Sequence, residues 1–312
     1  MNEKPLISVV TPVYLAEKII PELVKRTSEE LSKITPDFEI ILVEDGSPDN
    51  SWGAIEEQCT KFNYVKGVKL SRNFGQHYAI TAGVSVAKGK FSVIMDCDLQ
   101  DNPSYIQQLY EKILLGYDTV FTIRINRKHG VIKTFSSFAF NFLFKILSNS
   151  DYNINYGSLV MFNHKVRREF LRLSERDRLY VQMLKWIGFK QTAIEVEHDE
   201  RHSGKSSYTF FKLIKMAFQG WTAYSSRLLY FSIYVGVTFA LCSFISLAGI
   251  FIYYWLYGFA TGWASIMSTI LFSTGLILTG IGIAGIYIGK TFEQGKNRQL
   301  FIIDEQLNSD ES

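Results

Sequence analysis

Phe91-Ser-Val-Ile-Met95-Asp-Cys-Asp-Leu-Gln-Asp101 is the stretch from which the rest of the chain is read. A short apolar run, the right length for a buried strand, breaks without a spacer into a row of carboxylates. Acidic residues at the end of a hydrophobic strand are costly unless something positive compensates them. Asp96 and Asp98 are two apart, and in extended chain such residues face the same side, with Gln100 continuing the row. Paired carboxylates of this kind suit a hard divalent cation. Mg²⁺ takes one or two carboxylates and completes its shell with substrate phosphates and water. Asp96, Asp98 and Gln100 are therefore candidate ligands for Mg²⁺ or Mn²⁺. The competing reading is a solvated acidic turn. Cys97, between the two aspartates, should point the other way, into the sheet.

Working outward, strands are expected at residues 6–10, 38–43, 65–70, 91–95 and 118–123. Helical patterns lie between them at 20–33, 51–62, 75–87 and 103–115, the last opened by Asn102-Pro103. This alternation predicts βαβ units and an α/β fold with a mostly parallel sheet. In such open sheets ligands sit beyond the carboxyl ends of the strands. The unusual residues cluster there: Thr11-Pro12-Val13-Tyr14 with Glu17, then Glu44-Asp45-Gly46-Ser47, then Asp96 to Asp101.

Composition sets the outer limits. The chain is 47% hydrophobic and 20% charged, which excludes a disordered protein. Cys59, Cys97 and Cys242 form no CxxC pair, so neither a disulfide scaffold nor a cysteine zinc site is expected. His77, His129, His164, His198 and His202 show no metal spacing. A net charge of only +3 argues against a nucleic-acid binder.

That charge is unevenly spread. Residues 1–123 are acidic, 124–227 are strongly basic, and 228–289 carry no charge at all. A bilayer core needs about 20 apolar residues per helix, so the uncharged stretch reads as two spans, near 229–256 and 265–289. Tyr253, Tyr254, Trp255, Tyr257 and Trp263 flank the break like an aromatic belt. Two buried core helices are the alternative. Arg201, Lys205, Lys212, Lys215 and Arg227 precede the spans, and Lys290, Lys296 and Arg298 follow them. Both termini are accordingly expected in the cytoplasm, and no signal peptide is expected at Met1 to Pro5. Residues 131–147 and 208–227 mix Phe with Lys and suit interfacial helices, with ordinary core helices as the competing reading. The expected organisation is an α/β domain over 1–207, including a helix at about 131–148. A juxtamembrane amphipathic helix (208–227), two transmembrane helices (228–289) and a cytoplasmic C-terminal tail (290–312) follow.

Ser8-Val-Val-Thr-Pro-Val-Tyr14, Val43-Glu-Asp-Gly-Ser47, Leu70-Ser-Arg-Asn-Phe-Gly75, Ala82-Gly83 and Met95 to Asp101 together resemble family 2 glycosyltransferases with a GT-A fold. The likeness is closer to the polyprenyl-phosphate glycosyltransferases, the dolichyl-phosphate mannose synthase and bactoprenol glucosyltransferase group. Arg201-His-Ser-Gly204-Lys-Ser206-Ser-Tyr208 resembles that group's RxxGxSKY segment, and Gly285 to Lys290 resembles the close of its second span. The resemblance implies inverting, metal-dependent transfer of one sugar from a nucleotide sugar, UDP-sugar favoured over GDP-sugar, to polyprenyl (undecaprenyl) phosphate. It implies a multi-pass protein of the inner (cytoplasmic) membrane, active on the cytoplasmic face in cell-envelope glycosylation, and a homo-oligomer such as a tetramer. Pro12, Tyr14, Glu17, Asp45 and Asp96 would hold the nucleotide sugar. Asp98 with Gln100 and Asp96 would hold the metal. Arg124, Lys133, Arg201 and Ser206 would bind phosphate or acceptor, and Asp96, Asp98 and Arg201 would be catalytic.

Two positions depart from the pattern. Relatives carry an Asp, proposed as base, where this chain has Ser158, and Ser207 replaces the Lys of RxxGxSKY. A phosphate monoester has its second pKa near 6 and is already nucleophilic at pH 7. Loss of the base therefore fits a phosphate acceptor better than a sugar hydroxyl. Two rival readings stay open. One is a processive polysaccharide synthase, since Gln182-Met-Leu-Lys185-Trp186 faintly resembles QxxRW. The other is a non-catalytic membrane protein that binds nucleotide sugar.

Overall fold

The computed structural model describes residues 5–125, 156–197, 227–257 and 262–309. These fall into two compact units. One holds 5–125, 156–197 and 298–309; the other holds 227–257 and 262–297.

The first unit is an α/β domain in chain order β1 (Ile7–Val13), α1 (Ile20–Ser32), β2 (Phe38–Glu44), α2 (Ser51–Lys61), β3 (Val65–Leu70), α3 (Gln76–Val86), β4 (Phe91–Ile94), α4 (Tyr105–Leu114), β5 (Thr119–Ile125), β6 (Tyr156–Asn163), α5 (His164–Arg172), α6 (Tyr180–Ile187) and β7 (Gln191–Glu197). The second unit holds α7 (Arg227–Tyr257) and α8 (Trp263–Gly295), after which β8 (Ile303–Leu307) belongs to the first again. One eight-stranded sheet runs β7-β5-β6-β4-β1-β2-β3-β8. Pairs β1–β2, β1–β4, β2–β3 and β5–β7 are parallel, whereas β6 and β8 run against their neighbours. The five strands read from sequence are present. The other three are not among those predictions: β6 and β7 lie in the basic third, and β8 lies in the segment expected to be a tail.

Strands β1 and β2 are buried along their whole length on both faces, which is why they read as mainly apolar runs; the polar exceptions Ser8 and Glu39 satisfy each other, Ser8 Oγ donating to Glu39 Oε1 at 2.6 Å. Alternate side chains feed two cores. Val9, Ile40 and Leu42 pack on the side of α1, α2 and α4; Val10, Ile41 and Val43 pack on the side of α3, α5 and α6. Helix α3 lies close on the sheet: a Cβ at Gly83 would stand 2.4 Å from Val10 Cγ1 and 2.8 Å from Val43 Cγ2.

Strand β8 lies within the segment expected as a C-terminal tail, 290–312. Gly67 pairs with Leu307 and Val68 with Gln306, so the last residues close the outer edge of the sheet beside β3. Asn308 locks the strand by donating its amide to the carbonyls of Cys59 at 2.8 Å and Val65 at 2.9 Å. The outer backbone groups of β3 are thereby paired, and β8, short and charged at Asp304 and Glu305, becomes the edge strand.

In the second unit α7 and α8 pack together, with the rings of Phe239 and Phe272 5.2 Å apart. Among the described residues one segment, Phe272–Gly295, is long and apolar enough to cross a membrane, with mean hydropathy 1.6 and none of it buried. The predicted helix at about 131–148 lies outside the described residues, as does the one at 208–227 except for Arg227, which begins α7.

Candidate active site

Strand β4 is short. Its pairing with β1 stops at Val10–Ile94, and Met95 N–H donates to Val10 O at 3.0 Å as the last rung. Strand β1 runs three residues further, to Val13, paired only with β2. Pro12 therefore sits where the neighbouring strand has ended, at a place where its missing N–H costs no ladder bond. Because β2 and β3 lie on one side of β1 and β4 on the other, this gap is the topological switch point of the sheet. A cleft of about 350 Å³ opens there, lined by Pro12, Val13, Tyr14, Asp45, Asn73, Gly75, Gln76, Asp96, Cys97 and Asp98.

Asp45 follows β2 and is 3% exposed. Its two carboxylate oxygens accept from the backbone N–H groups of Phe74 (2.7 Å) and Gly75 (2.8 Å), and its carbonyl accepts from Asn73 Nδ2 at 2.8 Å. Burial pushes its carboxyl above the usual aspartate range, and the two amides and Arg72 pull against that. The loop 73–75 reaches Asp45 because Gly46, at φ +60°, lets the backbones pass almost in contact.

Tyr14, 47% exposed, stands at the rim. The loop behind it is held by three consecutive amides: Leu15 N–H to Ser47 Oγ, Ala16 N–H to Ser51 Oγ and Glu17 N–H to Asp49 Oδ2. Burial alone would raise the Asp49 pKa, but the Ser47 and Ser51 hydroxyls and the Glu17 and Ser51 amides drive it down to about 2. Asp49 is thus an anionic anchor for the β1–α1 loop. The side chain of Glu17 is exposed and does not line the cleft.

The acidic segment departs from the extended row expected of it. Past Asp96 the chain turns, Leu99 takes φ +56°, and Asp98 Oδ1 accepts the Gln100 N–H at 3.1 Å. Asp96 and Asp98 both line the cleft; Gln100 does not. Gln76 Nε2, from the first turn of α3, donates to Asp96 Oδ1 at 2.7 Å. Cys97 packs against the core, and burial, then Asp96 and Asp98, push its thiol up to about 12, so it is a protonated, inert group.

Asp96 and Asp98 are hard oxygen donors on one cleft wall and fit Mg²⁺ or Mn²⁺. Among the described residues no group of three or more His, Cys, Asp or Glu is placed to hold a metal. Two carboxylates alone would leave most of such an ion's shell to substrate phosphates and water.

Ser158, on β6, donates its hydroxyl to the Asp101 carboxylate, and its carbonyl accepts from Tyr180 OH at 2.7 Å. Neither residue lines the cleft. Arg124 is on β5. Lys133, Arg201 and Ser206 lie outside the described residues. Gln182-Met-Leu-Lys185-Trp186 falls in α6 with Trp186 exposed, away from the cleft lining. Asn73, Gly75 and Gln76 carried no role in the sequence reading. Their signal was a glycine just after a strand end and at the start of a helix, the usual mark of close backbone approach.

A family model described as glycosyl transferase family 2 matches residues 8–171. The chain is 34% identical over 303 residues to "Uncharacterized glycosyltransferase YkcC" of Bacillus subtilis, covering 96% of this chain and 93% of that protein. It is 30% identical over 308 residues to undecaprenyl-phosphate 4-deoxy-4-formamido-L-arabinose transferase of Pectobacterium atrosepticum, covering 97% and 94%. Among solved structures, mannosyl-3-phosphoglycerate synthase from Rubrobacter xylanophilus aligns over 70% of this chain and 72% of that one, at 16% identity and a TM-score of 0.49.

Proposed function

The chain belongs to glycosyl transferase family 2, and from that premise we propose that it moves a single sugar from a nucleotide-sugar donor to polyprenyl phosphate, with inversion at the anomeric carbon. The observation that carries this reading is the cleft at the switch point, where Asp45, Asp96 and Asp98 converge beside Tyr14. Full-length similarity to a transferase named for undecaprenyl phosphate supports the acceptor.

Each residue has a physical task. Pro12, Tyr14 and the fixed carboxylate of Asp45 form the wall for the base and ribose, with Glu17 at the outer loop. Asp96 and Asp98 would hold Mg²⁺ or Mn²⁺, with Gln100 on the same turn. When bound, the ion supplies neutralisation of the charge that develops on the leaving diphosphate. Arg124, Lys133, Arg201 and Ser206 bring donor and acceptor phosphates together against their repulsion, which is positional and electrostatic work. The acceptor phosphate oxygen then attacks the anomeric carbon as the bond to the nucleoside diphosphate breaks. The acceptor is already dianionic at neutral pH, so Ser158 in place of a carboxylate is no handicap.

Helices α7 and α8 are proposed to cross the bilayer, with the α/β domain and both termini cytoplasmic. At 31 and 33 residues they are about 46 and 50 Å long at 1.5 Å per residue, ample for a core of about 30 Å. Many of their aliphatic side chains, among them Val237, Leu241, Ile245, Ile277 and Ile281, are exposed, as lipid-facing residues are.

The test is to incubate purified protein in detergent with undecaprenyl phosphate, Mg²⁺ or Mn²⁺, and a panel of UDP-, GDP- and dTDP-sugars, reading lipid-phosphate sugar by mass spectrometry. One metal-dependent product, lost in Asp98→Ala, is expected. Polymer in place of a single lipid-linked sugar, or no product with any donor, overturns the reading.

A further inference from the structure

The segment from Asp96 to Asp101 is gripped at both ends by side chains from elsewhere in the domain, one on helix α3 and one on strand β6. At one end Gln76 Nε2 donates to Asp96 Oδ1 at 2.7 Å. At the other the Ser158 hydroxyl donates to Asp101 Oδ2. Between them lies the turn at Asp98, with Leu99 in the left-handed region and Asp98 Oδ1 engaged by the Gln100 amide. The two anchors connect with each other. Ser158 O accepts from Tyr180 OH at 2.7 Å, and the Tyr180 ring packs on His77, with centroids 5.6 Å apart. His77 adjoins Gln76 in the first turn of α3. Gln76, His77, Tyr180 and Ser158 thus form a chain of contacts that links the two ends, Asp96 and Asp101, of the turn that carries Asp98.

We propose that Asp101, held by Ser158, is a positioning residue that sets the Asp98 carboxylate for the divalent cation and the donor diphosphate. Asp101 does not line the cleft and is 4% exposed, so it acts through the backbone of the turn and not by contact with substrate. Three physical reasons make the anchor necessary. Two carboxylates on one wall repel each other and push the turn open. A turn with a β-carbon-bearing residue at positive φ persists only where its surroundings over-determine it. A ligand carboxylate free to swing loses metal affinity, because partners beyond the first shell hold the ligands in place. The serine at 158 thereby gains a role: its short hydroxyl reaches the buried Asp101 carboxylate, whereas a second carboxylate at that point would face it with like charge.

This inference rests on the metal-binding reading of Asp96 and Asp98, and the test separates the two. Mn²⁺ is titrated into full-length protein in detergent with UDP present, and free Mn²⁺ is read by electron paramagnetic resonance, alongside thermal unfolding. Ser158→Ala and Asp101→Asn are expected to weaken Mn²⁺ binding 10- to 100-fold, the range typical of lost outer-shell partners. Ser158→Thr, which keeps the hydroxyl, is expected to bind within threefold of the wild type. UDP binding measured without metal is expected to stay within twofold in Ser158→Ala. Wild-type protein that binds no Mn²⁺ sinks the metal reading and this role with it. Wild-type binding with Ser158→Ala and Ser158→Thr both unchanged sinks the positioning role alone, whatever happens to the melting temperature. Equal losses in Ser158→Ala and Ser158→Thr would also overturn it, since the hydroxyl would then not be the operative group.

Discussion

Replacing Gly46 with Ala tests the architecture of the nucleotide wall at a single atom. Gly46 stands at φ +60°, and a Cβ there would lie 2.3 Å from Asn73 N and 2.6 Å from Arg72 C. Both are backbone atoms, so no rotamer change relieves the clash. Ordinary contact requires the loop 72–75 to retreat by about 1 Å, and that loop supplies the Phe74 and Gly75 amides at 2.7 and 2.8 Å to Asp45. Left-handed backbone costs an alanine roughly 1–2 kcal/mol, and losing one hydrogen bond to a charged group costs about 1.5–3 kcal/mol. The expected total is roughly 3–5 kcal/mol, on the order of 10 °C in Tm for a domain of this size. Gly116 provides the control. It also has positive φ, +88°, but its nearest contact would be the flexible Lys190 Nζ at 3.9 Å. Gly116→Ala should therefore cost only about 1–2 kcal/mol, the backbone contribution alone. Gly46→Asn, which tolerates the left-handed region but keeps the collision, should cost nearly as much as Gly46→Ala. Thermal unfolding in detergent gives the stabilities, and calorimetry gives nucleotide affinity, which should fall with Gly46→Ala and hold with Gly116→Ala. Equal costs at the two glycines, or unchanged nucleotide affinity in Gly46→Ala, would refute the close-approach argument.

Two further outcomes follow from groups outside the cleft. Burial, then the neighbouring Arg178, lowers the His77 pKa to about 4. Between pH 6.5 and 4 the unfolded chain therefore binds a proton that the folded one does not, and stability is lost as pH falls through that window. The loss has a ceiling of about 3 kcal/mol at 1.36 kcal/mol per unit; His77→Phe should flatten it in a Tm-against-pH series from 4 to 8. Asn308→Ala removes the two short bonds to Cys59 O and Val65 O and places Ala at φ +54°. It should cost about 2–3 kcal/mol and raise amide exchange along β8 and β3 ahead of the other strands, which hydrogen-exchange mass spectrometry can resolve.

Much of the fold was legible because its signals are local. Strands β1 to β5 and helices α1 to α4 announced themselves through apolar runs, helical spacing and glycine or proline punctuation, since a doubly covered parallel sheet leaves continuous hydrophobic strands. The acidic strand ends at Asp45 and Asp96 pointed to the cleft for the same reason: a carboxylate after a buried strand is expensive and so is informative. Strands β6 and β8 were not legible. Each runs antiparallel to its neighbours and takes its place only through partners far away in sequence, β6 through β4 and β5, β8 through β3. A short mixed segment such as Ile303-Asp-Glu-Gln-Leu307 has no strand signature until Gly67 and Val68 offer it a ladder.

By itself, then, the sequence determined the α/β class, the order of its first nine elements and the family, because these depend on periodicity and on motifs read in line. Tertiary structure alone decided the conformation of the acidic segment. Extended geometry would have aligned Asp96, Asp98 and Gln100, yet the chain turns at Leu99 and leaves Gln100 out of the cleft lining. It also decided that Ser158 meets Asp101 and that Asn73, Gly75 and Gln76 complete the cleft. These are contacts across 57 residues of chain in one case and between separate strand ends in the other. Their energies arise from burial and from hydrogen bonds between distant partners, and neither exists until the sheet has assembled.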